Sequence, residues 1–144
     1  MINAGASGDT SAGGAARLDW VLGDQPTHLL VELGGNDALR GLPVDQLRSN
    51  LDQIITTAQA RGVQVMLAGM LAPPNLGRDY GEAFKQVYID LAHRHQIHFY
   101  PFFLDGAVMQ SALMQADGIH PNAQGVGVIV QHIMPPVAAF VEDE

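Results

Sequence analysis

The sequence predicts an α/β fold built on a parallel sheet. Strand-like and helix-like stretches alternate along the chain, the pattern of a layered sheet with right-handed crossovers. The strand-like runs are continuously apolar and bounded by glycine, which suits strands buried on both faces. The length of 144 residues suits one domain spanning 1–144.

The elements follow in order. Residues 2–4 (Ile-Asn-Ala) read as the end of a strand, and residues 3–14 are small and polar, a loop leading into a short helix near 15–22. Residues 27–33 (THLLVEL) form an apolar run closed by Gly34-Gly35, the first complete strand. The clearest helix covers 43–61, where Val44, Leu47, Leu51, Ile54, Ile55 and Ala58 recur on one face at steps of three and four. Pro43 suits its first turn and Gly62 the left-handed position after its end. Residues 63–69 (VQVMLAG) predict a second strand, and 70–78, with Pro73-Pro74 and Gly77, a loop. Asp79 followed by Glu82 resembles a capping box, ahead of a helix with Phe84, Val87, Tyr88 and Leu91 on one stripe. A short strand at 97–100, a short helix at 107–115 and a final helix at 121–134 complete the reading. Pro135-Pro136 should stop or kink that last helix.

Composition excludes several classes. Seven Lys plus Arg against fifteen Asp plus Glu leave a formal charge of −8, which argues against nucleic acid or an anionic membrane as partner. Cysteine is absent, so no disulfide, thiolate nucleophile or Cys-ligated metal is available. No apolar run of bilayer-spanning length is evident, so no stable membrane insertion is expected. The glycine-rich start lacks the spacing and lysine of a phosphate loop. His93, His95 and His98 lack the companion carboxylates of a metal tract, and no metal is expected. Glu32, inside an apolar strand, is expected to hydrogen-bond to nearby backbone.

Three clusters fall where strand ends are expected, the usual ligand side of such a sheet. The first is Ser7-Gly8-Asp9-Thr10-Ser11, the second Gly34-Gly35-Asn36-Asp37 and the third Asp117-Gly118-Ile119-His120-Pro121. In the third, a turn can bring the Asp117 carboxylate to Nδ1 of His120, fixing the tautomer of a general base. The same spacing suits a loop aspartate taking turn hydrogen bonds beside an exposed histidine. Asn36 offers an uncharged donor to a developing oxyanion, and equally a turn residue. Gly8 permits close backbone approach to a ligand, while Asp9 or Thr10 suits the cap of the following helix.

Together the clusters resemble the SGNH hydrolases, or GDSL family, in its thioesterase I and arylesterase branch. The resembling stretches are INAGASGDTSAGGAARL, LLVELGGNDALRGLP, PPNLGRDY with AFKQVYIDLA, and MQADGIHPNAQG, and they run in family order along nearly the whole chain. The resemblance implies a three-layer flavodoxin-like parallel sheet with helices on both faces. It implies hydrolysis of carboxylic esters or thioesters through an acyl-enzyme, without cofactor. Gly8 would give its N–H and Asn36 its amide to the oxyanion hole; His120 would be general base and then acid, oriented by Asp117. Residues 38–42 and 71–78 would border the acyl pocket, with Leu39, Arg40, Pro74 and Asn75 as substrate-binding residues.

The resemblance also implies an N-terminally incomplete domain. The family's GDS motif, with its serine nucleophile, belongs ahead of Ile2, so the first strand and helix are read as missing, and any signal region would lie upstream. Such a chain is expected to be nearly inactive alone. It would also be marginally stable, or re-pair its flanking strands, or join a second copy or a complementing N-terminal segment. The alternatives are a non-enzymatic module that binds ligands in the same cleft, and an enzyme that uses Ser7, Thr10 or Ser11 as nucleophile after rearrangement.

Overall fold

Three parallel strands carry the fold in the computed structural model, which describes residues 1–143. They are β1 (His28–Glu32), β2 (Gln64–Ala68) and β3 (His98–Tyr100), side by side in that order. The register sets Leu30 opposite Met66 and Ala68 opposite Tyr100. The described residues fall into two compact units, Met1–Pro101 and Phe102 onward, and the sheet belongs to the first.

Around the strands run α1 (Ser11–Ala16), α2 (Leu18–Leu22), α3 (Gly35–Leu39), α4 (Val44–Ala60) and α5 (Arg78–His95). The periodic face of α4 explains its place. Leu47, Leu51, Ile54, Ile55 and Ala58 are buried against Val31, Val65 and Leu67 of the strands and Phe84, Val87 and Leu91 of α5. Each large side chain buried there contributes about 1.5–3 kcal/mol. Gly62 has φ +75°, the left-handed end expected for α4, and Pro43 stands at its N-cap rather than inside its first turn.

The second unit is α6 (Ala123–Glu142) folded over a preceding loop, with Ala107, Met114 and Ile129 at its centre and Phe103, Leu104 and Leu113 against them.

Several expectations are corrected. Residues 2–4 form no strand, and Ile2 is 60% exposed; an extended segment without a neighbouring strand has no ladder to join. The flanking strands have therefore not re-paired: among the described residues β1 meets only β2. The stretch Gly35–Leu39, read as a turn, is helical. The helix near 15–22 is two short helices that meet at Arg17. Asp79 and Glu82 make no capping box, since Gly77 is the N-cap of α5 and no side chain bonds there. The region 107–115 holds only a 3-10 turn, Ser111–Leu113. Finally, α6 contains Pro135 and Pro136 and continues past them to Glu142. The burial of Phe140 beyond the prolines gives that last turn a reason to persist. By length and composition α6 is long and apolar enough to cross a membrane, with a mean hydropathy of 1.3, because its interrupting residues are mostly uncharged.

Candidate active site

One cluster lies in the first unit, at the carboxyl end of β1. Tyr88 of α5 donates its hydroxyl proton to the Leu33 carbonyl at 2.8 Å, which pins the strand where it leaves the sheet. The chain then turns through Gly34 at φ +112°. A Cβ on that residue would stand 2.0 Å from the Tyr88 hydroxyl, so both the turn and the close approach require glycine here. Helix α3 starts at once and carries Asn36 and Asp37.

The loop before α1 meets this helix. Gly8 has φ +76°, and the space where a side chain would stand is open. The Asn36 amide donates one proton to the Asp9 carbonyl at 2.9 Å. An amide nitrogen carries two protons, so the second remains for a ligand. Asp9 is fixed from its other end by Arg17 at 2.7 Å, and Thr10 caps α1 by accepting from the Gly13 N–H. Two donors of the kind that hold an oxyanion, the Gly8 N–H and the Asn36 amide, thus stand on a loop and a short helix tied to each other.

Ser11 has another fate. It is fully buried; its hydroxyl donates to Asp37 at 2.5 Å and accepts from the Asn50 amide at 2.9 Å. With its proton committed to a buried carboxylate, it cannot act as a nucleophile in this arrangement. The Thr10 hydroxyl accepts from the Gly13 N–H as the cap of α1.

The residues expected at the pocket border sit near one another. Arg40 reaches back to the Gly8 carbonyl at 3.1 Å. Leu39 is exposed, as are Pro74 and Asn75 in the 3-10 turn Pro74–Leu76. Tyr80 ties the two loops by donating to the Leu42 carbonyl at 2.8 Å.

A separate cluster lies in the second unit, where a bridge between Met114 and Pro121 closes a short loop. Gln115 donates its N–H to the His120 carbonyl at 2.7 Å and Gly118 takes φ +66° at the tip. Asp117 gathers the loop around itself: Oδ1 accepts the Ile119 and His120 N–H groups at 2.9 and 3.0 Å. Its Oδ2 lies 2.7 Å from His120 Nδ1. The hydrogen bond from the His120 side chain, backed by the two backbone donors, holds the Asp117 carboxyl down at about 2. A proton on Nδ1 leaves Nε2 as the basic nitrogen of the ring, exposed and free to take a proton from a hydroxyl. A shallow cavity of about 430 Å³ adjoins this loop, lined by Met109, Met114, Gln115 and Gly118.

Other histidines have structural partners. His95 bonds Asp52 at 2.6 Å and His132 bonds Asp105 at 2.9 Å. Among the described residues no group of three or more His, Asp or Glu could hold a metal. Glu32 lacks its expected backbone partner among the described residues, and burial pushes its carboxyl above the usual range. The sequence reading missed the Ser11–Asp37–Asn50 cluster; the only signal for it was a serine and an aspartate, each beside a candidate donor.

The Asp117–His120 pair of one unit, and the Gly8 N–H and Asn36 amide of the other, are each groups of the kind that acyl-transfer chemistry uses. The chain belongs to the GDSL-like lipase/acylhydrolase family, whose sequence model matches residues 1–128. It is 43% identical over 136 residues to esterase TesA of Pseudomonas aeruginosa, covering 94% of this chain and 68% of that protein. It is 43% identical over 123 residues to thioesterase 1/protease 1/lysophospholipase L1 of Escherichia coli strain K12, covering 85% of this chain and 59% of that one. The chain thus spans about three fifths to two thirds of the length of these relatives. Among solved structures, the psychrotrophic esterase EstA from Pseudoalteromonas sp. matches with a TM-score of 0.93 and 34% identity, over 99% of this chain and 78% of its own. The fold is the SGNH hydrolase α/β fold.

Proposed function

We propose that residues 1–144 form one domain of an SGNH-type hydrolase of carboxylic esters or thioesters, small acyl substrates met without nucleic acid. In this reading Gly8 N–H and the Asn36 amide bind the oxyanion, and His120 is base and then acid. Asp117 orients His120, and Leu39, Arg40, Pro74 and Asn75 border the acyl group. The observation that carries the reading is the His120 Nδ1–Asp117 Oδ2 pair at 2.7 Å, which reserves Nε2 for proton transfer.

The serine nucleophile, we infer, stands on a strand–helix segment outside these 144 residues. Ser11 is buried and bonded, β1 is paired on one edge only among the described residues, and Leu30 at its centre is 41% exposed. A strand added along that edge would complete a parallel ladder. The reaction then runs in two halves. His120 takes the serine proton as the oxygen attacks the acyl carbon, and the two amide donors receive the oxyanion. Collapse expels alcohol or thiol with the proton from His120, and water repeats the sequence to free the acid.

The test is hydrolysis of p-nitrophenyl butyrate by the chain alone, and by the chain joined to or mixed with a serine-bearing N-terminal segment from a relative. Little turnover alone and strong turnover with the segment support the reading, provided His120→Ala abolishes it. Binding of butyrate without turnover in either form would favour a non-enzymatic binding module instead.

A further inference from the structure

We propose that Ser11, Asp37 and Asn50 form a buried clamp that sets the spacing between the two oxyanion donors. Ser11 and Asp37 are then positioning residues for the reaction; the inference rests on the reading just given for Gly8 and Asn36. The Asp37 carboxylate, 2% exposed, takes both donors of one residue: the Ser11 N–H at 2.8 Å and the Ser11 hydroxyl at 2.5 Å. Asn50 of α4 donates to the same hydroxyl at 2.9 Å, so the hydroxyl has one role as donor and one as acceptor. Buried charge-assisted bonds of this kind are short and directional, and a shift of either residue would leave a desolvated carboxylate without its partners.

Sequence adjacency gives the clamp its function. Asp37 directly follows Asn36, and Ser11 stands three residues after Gly8. The chain between Gly8 and Ser11 has little play, since Asp9 is held by Arg17 and Asn36 and Thr10 by the Gly13 N–H. Arg40 holds the Gly8 carbonyl. A bond locked between Ser11 and Asp37 therefore fixes where the Gly8 N–H and the Asn36 amide stand relative to each other. Preorganised donors of this sort act because they need not move when charge develops.

The test uses the 15N-labelled 144-residue chain with Ser11→Ala, Asp37→Asn and Asn50→Ala. In the first two, the Gly8 backbone amide and the Asn36 side-chain amide should shift and broaden in the 1H–15N spectrum. Val87 and Leu91 of α5 should keep their signals. Asn50→Ala, which leaves both Asp37 bonds in place, should give the same change in smaller degree and serves where the other variants fold poorly. Unmoved Gly8 and Asn36 signals, or an equal loosening at Val87, would overturn the clamp. In the chain complemented with the serine-bearing segment, Ser11→Ala should lower kcat about tenfold to a hundredfold while KM moves less than about twofold. The double variant with Asp37→Asn should be no worse than the weaker single one. A lowered Tm with kcat unchanged would mark the cluster as structural and overturn the proposal. If the complemented parent shows no turnover, the hydrolase reading fails and the Gly8 and Asn36 signals alone decide the clamp.

Discussion

Asp117 binds His120 twice, through the backbone N–H at 3.0 Å and through Nδ1 at 2.7 Å. Backbone and ring are thereby fixed by one carboxylate, so the ring's orientation is built into the turn itself. Because the pair is exposed, its effect lies in geometry and tautomer more than in stability.

That geometry predicts a depressed carboxyl titration. The Asp117 carboxyl 13C shift should titrate with a midpoint of about 2, held down first by the His120 side chain and then by the two backbone donors. Stability linked to this group is fully present above the unfolded value, about 3.9, and is lost as pH falls toward the folded value. His120→Ala removes the largest cause and should raise the midpoint. A parent midpoint at the ordinary aspartate value would contradict the bonded loop.

Glu32 predicts the opposite dependence. Burial raises its carboxyl, so the folded chain favours the protonated form. Stability tied to Glu32 is therefore greatest at low pH and falls as pH rises through the raised value. Glu32→Gln should raise Tm at about pH 7, with the gain closing toward about pH 4, where the glutamate itself becomes protonated. A lower Tm for the variant at neutral pH would show that the charge has a partner after all.

Gly34→Ala tests the turn that presents Asn36. The added Cβ meets the Tyr88 hydroxyl at 2.0 Å and the backbone stands at φ +112°. Strain and overpacking together should cost roughly 2–4 kcal/mol, read by denaturant unfolding. Tyr88→Phe in the same background should recover part of that loss by removing the clashing oxygen; no recovery would place the cost in the backbone alone.

The parts of this molecule that were legible in the sequence are those whose cause is local. The face of α4, the end at Gly62, the three apolar strands and the Asp117–His120 turn each follow from spacing of a few residues. The misreadings have distant causes. Residues 2–4 have strand-like composition, but a strand exists only when another pairs with it. Gly34-Gly35-Asn36-Asp37 has turn composition, yet the helix there follows a strand end that Tyr88 holds at Leu33, 55 residues away in sequence. The tie between Ser11 and Asp37 spans 26 residues, and the one between Ser11 and Asn50 spans 39. No window of sequence contains such a cluster. The prolines of α6 mislead for the same reason, because Phe140 beyond them is buried by contacts that propensity does not see.

Asn36 gives the sharpest test of the proposed chemistry. Its amide already spends one proton on the Asp9 carbonyl at 2.9 Å, and that bond aims the other. Asn36→Ala removes both donors and should lower kcat of the complemented enzyme by about 10²–10³, with KM for p-nitrophenyl butyrate little changed, because the lost bond forms only as charge develops on the acyl oxygen. Asn36→Asp keeps the shape but sets a carboxylate against the Asp9 carbonyl and against any oxyanion, so it should be no better than alanine. Circular dichroism and Tm alongside the kinetics separate lost chemistry from lost structure. If Asn36→Ala stays within about threefold of the parent while folded, the amide is a loop tie and the oxyanion must be held by other donors.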